Sequence, residues 1–129
     1  MTHVTRQPIL AALAALLAMT LSPVAHANGD PAKGEKVFAG ECSDCHSVTA
    51  GKNKKGPSLN GVNGRKAATV AGFAYSDAMK ASDITWSPER IDAYITRPKK
   101  VVPGGKMKYD GLDDEKDRAD VIAYLLSIK

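Results

Sequence analysis

The sequence predicts an all-α domain, and three observations support this class. Asp30-Pro31 and Ser87-Pro88-Glu89 each combine a helix-capping side chain with a proline at the first helical position. A last helix is predicted with Asp113 as its N-terminal cap. Its inward-facing apolar residues are Ala119, Val121, Ile122, Leu125 and Ile128. No segment shows the alternation of apolar and polar residues that is typical of a half-buried strand.

The predicted elements follow in order along the chain. A first helix covers residues 31–41 and leads into the motif described next. Residues 48–71, rich in Gly, Lys, Asn and Ser, are expected to form a long loop. A short helical piece is predicted at residues 76–81, and the helix over residues 87–97 must end there because Pro98 follows.

The most informative motif is Cys42-Ser43-Asp44-Cys45-His46. Two thiols at this spacing can form thioethers with the two vinyl groups of one haem, and the next residue can offer a neutral imidazole nitrogen to the iron. A redox-active dithiol, a disulfide and half of a zinc site are the alternatives. The dithiol would need a βαβ context, and a structural zinc site would need four N or S ligands. The motif therefore favours one covalently attached haem c.

Residues 1–27 have the pattern of a secretory signal peptide. Arg6 precedes an apolar run over residues 9–21, and small residues lead up to a cut after Ala27. An uncleaved membrane anchor is the alternative, but this run is shorter than the roughly 20 residues that a spanning helix needs. We therefore expect residues 28–129 to form one monohaem domain in the periplasm.

A second axial ligand from this domain would be a methionine, because His46 is its only histidine. Met79 and Met107 are the candidates, and a lysine is a weaker one. Met107 follows an irregular loop with Pro and Gly, which can bring a side chain over the iron. Met79 lies between alanines in the short helical piece and is more typical of a core filler. The sequence thus favours Met107.

An ordered series of short motifs accompanies the haem motif. They are Gly56-Pro57, Leu59-Asn60-Gly61, Gly64-Arg65-Lys66, Gly72-Phe73-Ala74-Tyr75-Ser76, Ile84-Thr85-Trp86, Pro98-Lys99-Lys100, Pro103-Gly104, Lys106-Met107 and Arg118-Ala119-Asp120. From Gly34 to Leu125 the chain resembles the soluble class I cytochromes c, both mitochondrial and bacterial. The resemblance implies the small cytochrome c fold, with short helices and loops around one covalent haem.

The resemblance also implies roles for individual residues. Cys42 and Cys45 match the thioether positions, and His46 and Met107 match the axial ligands. The Pro57 carbonyl matches the acceptor for His46, and the Tyr94 hydroxyl matches one that reaches the ligating sulfur. The residues that match haem-propionate partners are Arg65, Tyr75 and Trp86. The residues that match the crossing of the first and last helices are Gly34, Phe38, Val121 and Tyr124. The chain departs from the family pattern at Glu41, Asp44, Met79, Gly105 and Tyr109.

The function that follows is single-electron transfer, without enzymatic activity, in a respiratory or photosynthetic chain. A weak peroxidase or small-gas sensor is the alternative if Met107 detaches easily, which the added backbone freedom at Gly105 would favour. A fixed haem subunit of a larger complex, tethered by an uncleaved leader, is a further possibility.

Charge predicts how such a carrier would dock. Without residues 1–27 the formal charge falls from +4 to +3, because Arg6 is lost. The loop lysines expected around the haem edge are Lys52, Lys54, Lys55, Lys99, Lys100, Lys106 and Lys108, while Asp113, Asp114, Glu115, Asp117 and Asp120 cluster on the last helix. We expect a monomer that meets acidic surfaces on a cytochrome bc-type complex, terminal oxidase, reductase or photosynthetic reaction centre. Nucleic acid is not expected as a partner, and membrane contact is expected only through these proteins.

Overall fold

The computed structural model describes residues 29–129, which form helices joined by long loops. Among these residues there is no strand, and an isolated antiparallel bridge joins Lys66 to Thr85. The predicted all-α class is confirmed. The helices are α1 (Pro31–Glu41), α2 (Asp77–Ala81), α3 (Pro88–Thr96), α4 (Pro98–Val101) and α5 (Glu115–Ser127).

The signal peptide predicted for residues 1–27 lies outside the described residues. Within residues 29–129, none of the helices has the length and apolarity required to cross a bilayer.

Helix starts follow the capping residues that the sequence offers. The Asp30 carboxylate accepts hydrogen bonds from the first turn of α1, including one from the Ala32 N–H at 2.9 Å. Ser76 and Ser87 cap α2 and α3 in the same way. These side chains satisfy backbone N–H groups that have no partner inside the helix.

One prediction at a helix end is wrong, and one short helix is missing from the predicted elements. The cap of α5 is Asp114, whose carboxylate accepts from the Asp117 N–H at 2.8 Å, whereas Asp113 instead pairs with Arg97 at 2.6 Å. Pro98 not only ends α3 but also begins the unpredicted helix α4. A proline fits the first position of a helix because no N–H is required there.

The first and last helices cross at very short range, as the resemblance implied. A Cβ on Gly34 would lie 1.9 Å from the carbonyl oxygen of Asp120, so only glycine permits this approach. The rings of Phe38 and Tyr124 pack beside the crossing with centroids 5.6 Å apart. Val121 is almost fully buried in the same core. This crossing fixes the direction in which α1 delivers the haem motif.

The predicted loop over residues 48–71 is ordered by side-chain hydrogen bonds to its own backbone. Asn53 accepts from the Ser58 N–H at 3.0 Å and donates to the Ala71 carbonyl at 3.0 Å. The buried Ser58 hydroxyl donates to the Thr49 carbonyl at 2.7 Å. These contacts hold Pro57 in place within the loop.

Candidate functional site: a haem cavity

The helices and loops enclose a cavity of about 440 Å³. Much of its wall is aliphatic, from Leu59, Val62, Ile91, Ile95, Leu112, Val121 and Leu125. The predicted site residues, which are far apart in sequence, all line this one cavity: Cys42, Cys45, His46, Pro57, Arg65, Tyr75, Trp86, Tyr94 and Met107. The fold therefore brings the whole predicted set together.

The imidazole of His46 is held in a defined orientation. Its Nδ1 lies 2.8 Å from the Pro57 carbonyl oxygen, which can only accept, so Nδ1 carries the proton and Nε2 keeps its lone pair. Burial lowers the pKa of His46, although the hydrogen bond to Pro57 acts in the opposite direction. A neutral imidazole with a free Nε2 is the form that binds iron.

The two cysteines lie just after α1 and form no disulfide with each other, with Cys45 exposed and Cys42 half-buried. Burial, together with the Glu41 carboxylate, raises the pKa of the Cys42 thiol to about 11. Redox-active dithiols depend instead on a lowered thiol pKa. The environment of Cys42 therefore does not favour the dithiol alternative.

Three polar side chains face one part of the cavity. The Arg65 guanidinium donates to the carbonyls of Asn60 at 2.7 Å and Ser58 at 3.0 Å, which fix its position. The Tyr75 hydroxyl accepts from the Val70 N–H at 3.2 Å and keeps its own proton to donate. Within residues 29–129 no protein acceptor engages the Trp86 indole N–H. These donors are suited to carboxylates such as haem propionates.

The two candidate methionines both reach the cavity but differ in their surroundings. Met79 lies in α2, where the Ser82 hydroxyl donates to its carbonyl at 2.7 Å and lies 3.8 Å from its sulfur. Among the described residues, no hydrogen bond to the sulfur of Met107 is present. Tyr94, whose ring stacks obliquely on Trp86 with centroids 5.1 Å apart, lines the cavity alongside Met107.

Sequence reasoning missed one contact at the cavity wall. The Tyr109 hydroxyl donates to Glu41 Oε2 at 2.8 Å, joining residues 68 positions apart. Burial, followed by this hydrogen bond, raises the pKa of Tyr109, so the phenol keeps its proton at neutral pH. Each residue stood out as a departure from the family pattern, but no local signal paired them.

The charged rim differs in detail from the prediction. Lys55, Lys106 and Lys108 line the cavity as expected, and Lys66 joins them. The Lys99 ammonium is paired with Asp110 at 3.0 Å. Asp120, counted in the acidic cluster of the last helix, does lie on α5, but its side chain is only 3% exposed and bonded to Lys116, so it adds little to the charged surface.

The residues present fit a covalently attached haem. The cavity combines two thiols, a neutral imidazole, a thioether and apolar walls with carboxylate-binding donors. Gly56 leaves the room that the imidazole needs, since a Cβ there would lie 2.3 Å from His46 Cε1. A helical domain with this motif on the wall of such a cavity is a c-type haem protein.

The comparison with known families agrees. The chain belongs to the cytochrome c family, whose model matches residues 31–129. Members of this family carry covalent haem c, and the chain is accordingly a haem c electron-transfer protein.

Bacterial relatives are about half identical to the chain. It is 52% identical to cytochrome c2 of Rhodoblastus acidophilus over 78% of its own length and 94% of the relative. It is 50% identical to cytochrome c2 of Rhodomicrobium vannielii, over 84% of the chain and 86% of that protein. With the c-type cytochrome cy of Rhodobacter capsulatus the identity is 54% over 75% of the chain, which spans only 48% of that protein.

Proposed function

We propose that the protein is a periplasmic single-electron carrier whose haem c is attached through Cys42 and Cys45 and has His46 and Met107 as axial ligands. When bound, this group supplies a one-electron iron couple. One observation supports the proposal most directly: His46 and Met107 line the same cavity. The Nδ1 of His46 is hydrogen-bonded to the Pro57 carbonyl, which leaves Nε2 as the ligand atom, and the Met107 sulfur has no hydrogen bond from the described residues.

The surrounding residues then have separate tasks. The Pro57 carbonyl keeps the His46 ring in one orientation and makes its Nε2 a better donor. The Met107 thioether, a soft ligand, favours the ferrous state and raises the reduction potential. Tyr94, which lines the cavity alongside Met107, is proposed to donate to that sulfur when the haem is bound. Because both axial positions are held by protein, the site transfers electrons without binding a substrate at the metal.

Arg65, Tyr75 and Trp86 are proposed to bind the propionates. Arg65 is half-buried, and burial lowers its guanidinium pKa, yet it stays charged because an arginine titrates far above neutral pH. A cation at this position compensates two carboxylates that would otherwise be costly to bring into a largely apolar cavity.

For partners, we propose acidic docking surfaces that meet the lysine rim formed by Lys55, Lys66, Lys106 and Lys108. Such surfaces would belong to a cytochrome bc-type complex, terminal oxidase, reductase or photosynthetic reaction centre. Complementary charge speeds the encounter and orients it, and both effects weaken as salt rises. The protein is proposed to act as a monomer.

Axial ligation is tested by comparing Met107→Ala with Met79→Ala in the haem-loaded protein. Met107→Ala should abolish the long-wavelength sulfur-to-iron absorption, lower the reduction potential and let the ferrous form bind carbon monoxide stoichiometrically. Met79→Ala is the matched control and should leave all three properties close to those of the unsubstituted protein. The reverse pattern would overturn the ligand assignment.

One observation favours a second candidate function, a weak peroxidase or small-gas sensor. Between residues 106 and 111 the described structure contains no backbone–backbone hydrogen bond, which would ease detachment of Met107. Rapid peroxide turnover by the native holoprotein, together with immediate carbon monoxide binding, would support this function over electron transfer.

A further inference from the structure

Backbone hydrogen bonds hold the chain on either side of the segment that carries Met107, residues 106–111. Before it, the Gly105 N–H donates to the Val102 carbonyl at 3.0 Å. The N–H groups of Val102 and Leu112 each donate to a carbonyl of the preceding helices α4 and α3 at 2.9 Å. From Lys106 to Gly111 no backbone–backbone hydrogen bond is formed within the described structure. The position of Met107 therefore depends on contacts made by side chains.

Side-chain hydrogen bonds attach residues 106–111 to the rest of the described chain at three points. Lys106 reaches a carbonyl before α2 at 3.4 Å, which is long for a hydrogen bond. Lys99 and Asp110 form an ion pair in which both side chains are largely exposed, so it contributes little. The third contact, at 2.8 Å, is the hydrogen bond from Tyr109 to the Glu41 carboxylate. It is the shortest of the three contacts, and Tyr109 is partly buried whereas Lys106, Lys99 and Asp110 are exposed.

The two ends of this third contact lie at informative places. Glu41 is the last residue of α1 and directly precedes Cys42. Tyr109 follows Met107 by two positions, and both Glu41 and Tyr109 line the haem cavity. The hydrogen bond thus ties the segment with the proposed methionine ligand to the segment that attaches the haem.

We propose that Tyr109 is a positioning residue, and that its hydrogen bond to Glu41 holds the Met107 segment closed over the cavity. This inference rests on the proposed axial role of Met107. Gly104, with φ +83°, and Gly105 lie directly before Lys106 and give the backbone there extra freedom, so a side-chain restraint on the segment matters more. The Tyr109 hydroxyl would restrain residues 106–111 through a side-chain hydrogen bond, because their backbone forms none within the described structure.

The test measures how fast imidazole replaces Met107 in the ferric holoprotein, since that rate is limited by opening of the segment. Tyr109→Phe removes the hydroxyl but keeps the ring, and Glu41→Ala removes the acceptor. Each should speed imidazole binding by roughly three- to tenfold, in line with the loss of one hydrogen bond to a charged group at the surface. The double variant should be no faster than either single variant, because both remove the same bond.

Two matched variants separate this effect from general loosening of the fold. Glu41→Gln keeps an amide oxygen that can accept from Tyr109 but loses the charge, so its rate should lie between those of the unsubstituted protein and Glu41→Ala. Tyr124→Phe removes a tyrosine hydroxyl at the α1–α5 crossing and should leave the rate unchanged.

The outcomes are distinguishable. An unchanged rate in Tyr109→Phe, or additive effects in the double variant, would overturn the positioning role even if the sulfur-to-iron absorption is present in every protein. Absence of that absorption from the unsubstituted holoprotein would instead overturn the axial role of Met107, and the positioning role with it.

Discussion

At the scale of single residues, Gly56 shows how a missing side chain shapes the site. The His46 ring packs directly against it, and a Cβ would meet Cε1, Nδ1 and Nε2 at 2.3, 2.7 and 2.9 Å. The ring cannot simply turn away, because its Nδ1 is bonded to the neighbouring Pro57 carbonyl. The glycine is thus required by close packing against the proposed ligand.

We therefore expect Gly56→Ala to destabilise the holoprotein by about 1–3 kcal/mol, the usual cost of overpacking a well-filled site. Denaturant unfolding followed by the haem absorption gives the measurement. Gly40→Ala is the matched control, because a Cβ there meets nothing within 4 Å and alanine favours a helix by up to about 1 kcal/mol. Equal effects of the two substitutions would show that His46 tolerates the added methyl group.

At the scale of helices, the α1–α5 crossing contains a buried carboxylate. Asp120 Oδ1 accepts from the Asp30 N–H at 2.7 Å, and both carboxylate oxygens lie 3.0 Å from Lys116 Nζ. The Asp30 N–H first, and Lys116 second, lower the pKa of Asp120, with Lys33 of α1 acting in the same direction. The ionised Asp120 carboxylate of α5 is thereby hydrogen-bonded to Asp30, the N-cap residue of α1.

This arrangement predicts a defined loss of stability in acid. Because the pKa of Asp120 is lower in the folded than in the unfolded chain, its contribution is complete above about pH 4 and is lost as the pH falls further. Asp120→Asn cannot ionise, so the stability difference from the unsubstituted protein should shrink between pH 7 and about pH 3. The free energy of unfolding at several pH values measures this.

Asp83→Asn is the control for that experiment, since the Asp83 side chain is 85% exposed and its ion pair with Lys66 lies in solvent. It should leave the acid dependence of stability nearly unchanged. A difference between Asp120→Asn and the unsubstituted protein that stays constant with pH would contradict the role given to the carboxylate.

At the scale of the whole molecule, charge is distributed unevenly around the cavity. Lys55, Lys66, Lys106 and Lys108 line it, whereas Asp113, Asp114 and Glu115 lie exposed at the start of α5. Glu41 and Asp44 also line the cavity, so the rim is not uniformly positive. The side of the molecule through which electrons are proposed to enter and leave therefore carries both charge signs, with a local excess of lysine.

Reversing a rim charge should therefore change the rate of electron exchange with charged reagents. Lys55→Glu or Lys108→Glu is expected to slow oxidation by ferricyanide by up to about 60-fold at very low ionic strength, because a change of two charge units acts on a trivalent anion at roughly 10 Å in water. With a cationic ruthenium ammine complex the effect should have the opposite sign. Stopped-flow kinetics of the holoprotein give the rates.

Added salt should remove these differences, because the Debye length falls to about 3 Å at 1 M. Lys36→Glu makes the same charge change on an exposed residue of α1 that does not line the cavity, so its effect should be smaller. Equal effects of all three substitutions would mean that only net charge matters and that the rim has no steering role.

The haem chemistry and most helix starts could be predicted because their signals are local. The five residues from Cys42 to His46 contain the attachment pattern, and Asp30 with Pro31 or Ser87 with Pro88 marks a helix start within two positions. The sequence does not determine which residue caps the last helix, because the adjacent Asp113 and Asp114 give the same local signal. Arg97, which is distant in sequence, pairs with Asp113 and leaves Asp114 as the cap.

By itself, the sequence determined the all-α class and the covalent haem, since both depend on residue types a few positions apart. Only the tertiary structure decided that Asp120 is buried at the helix crossing, that Gly56 touches His46, and that Tyr109 donates to Glu41. The physical reason is that burial and hydrogen-bond pairing depend on the path of the whole chain, which brings together groups such as Glu41 and Tyr109 from 68 positions apart.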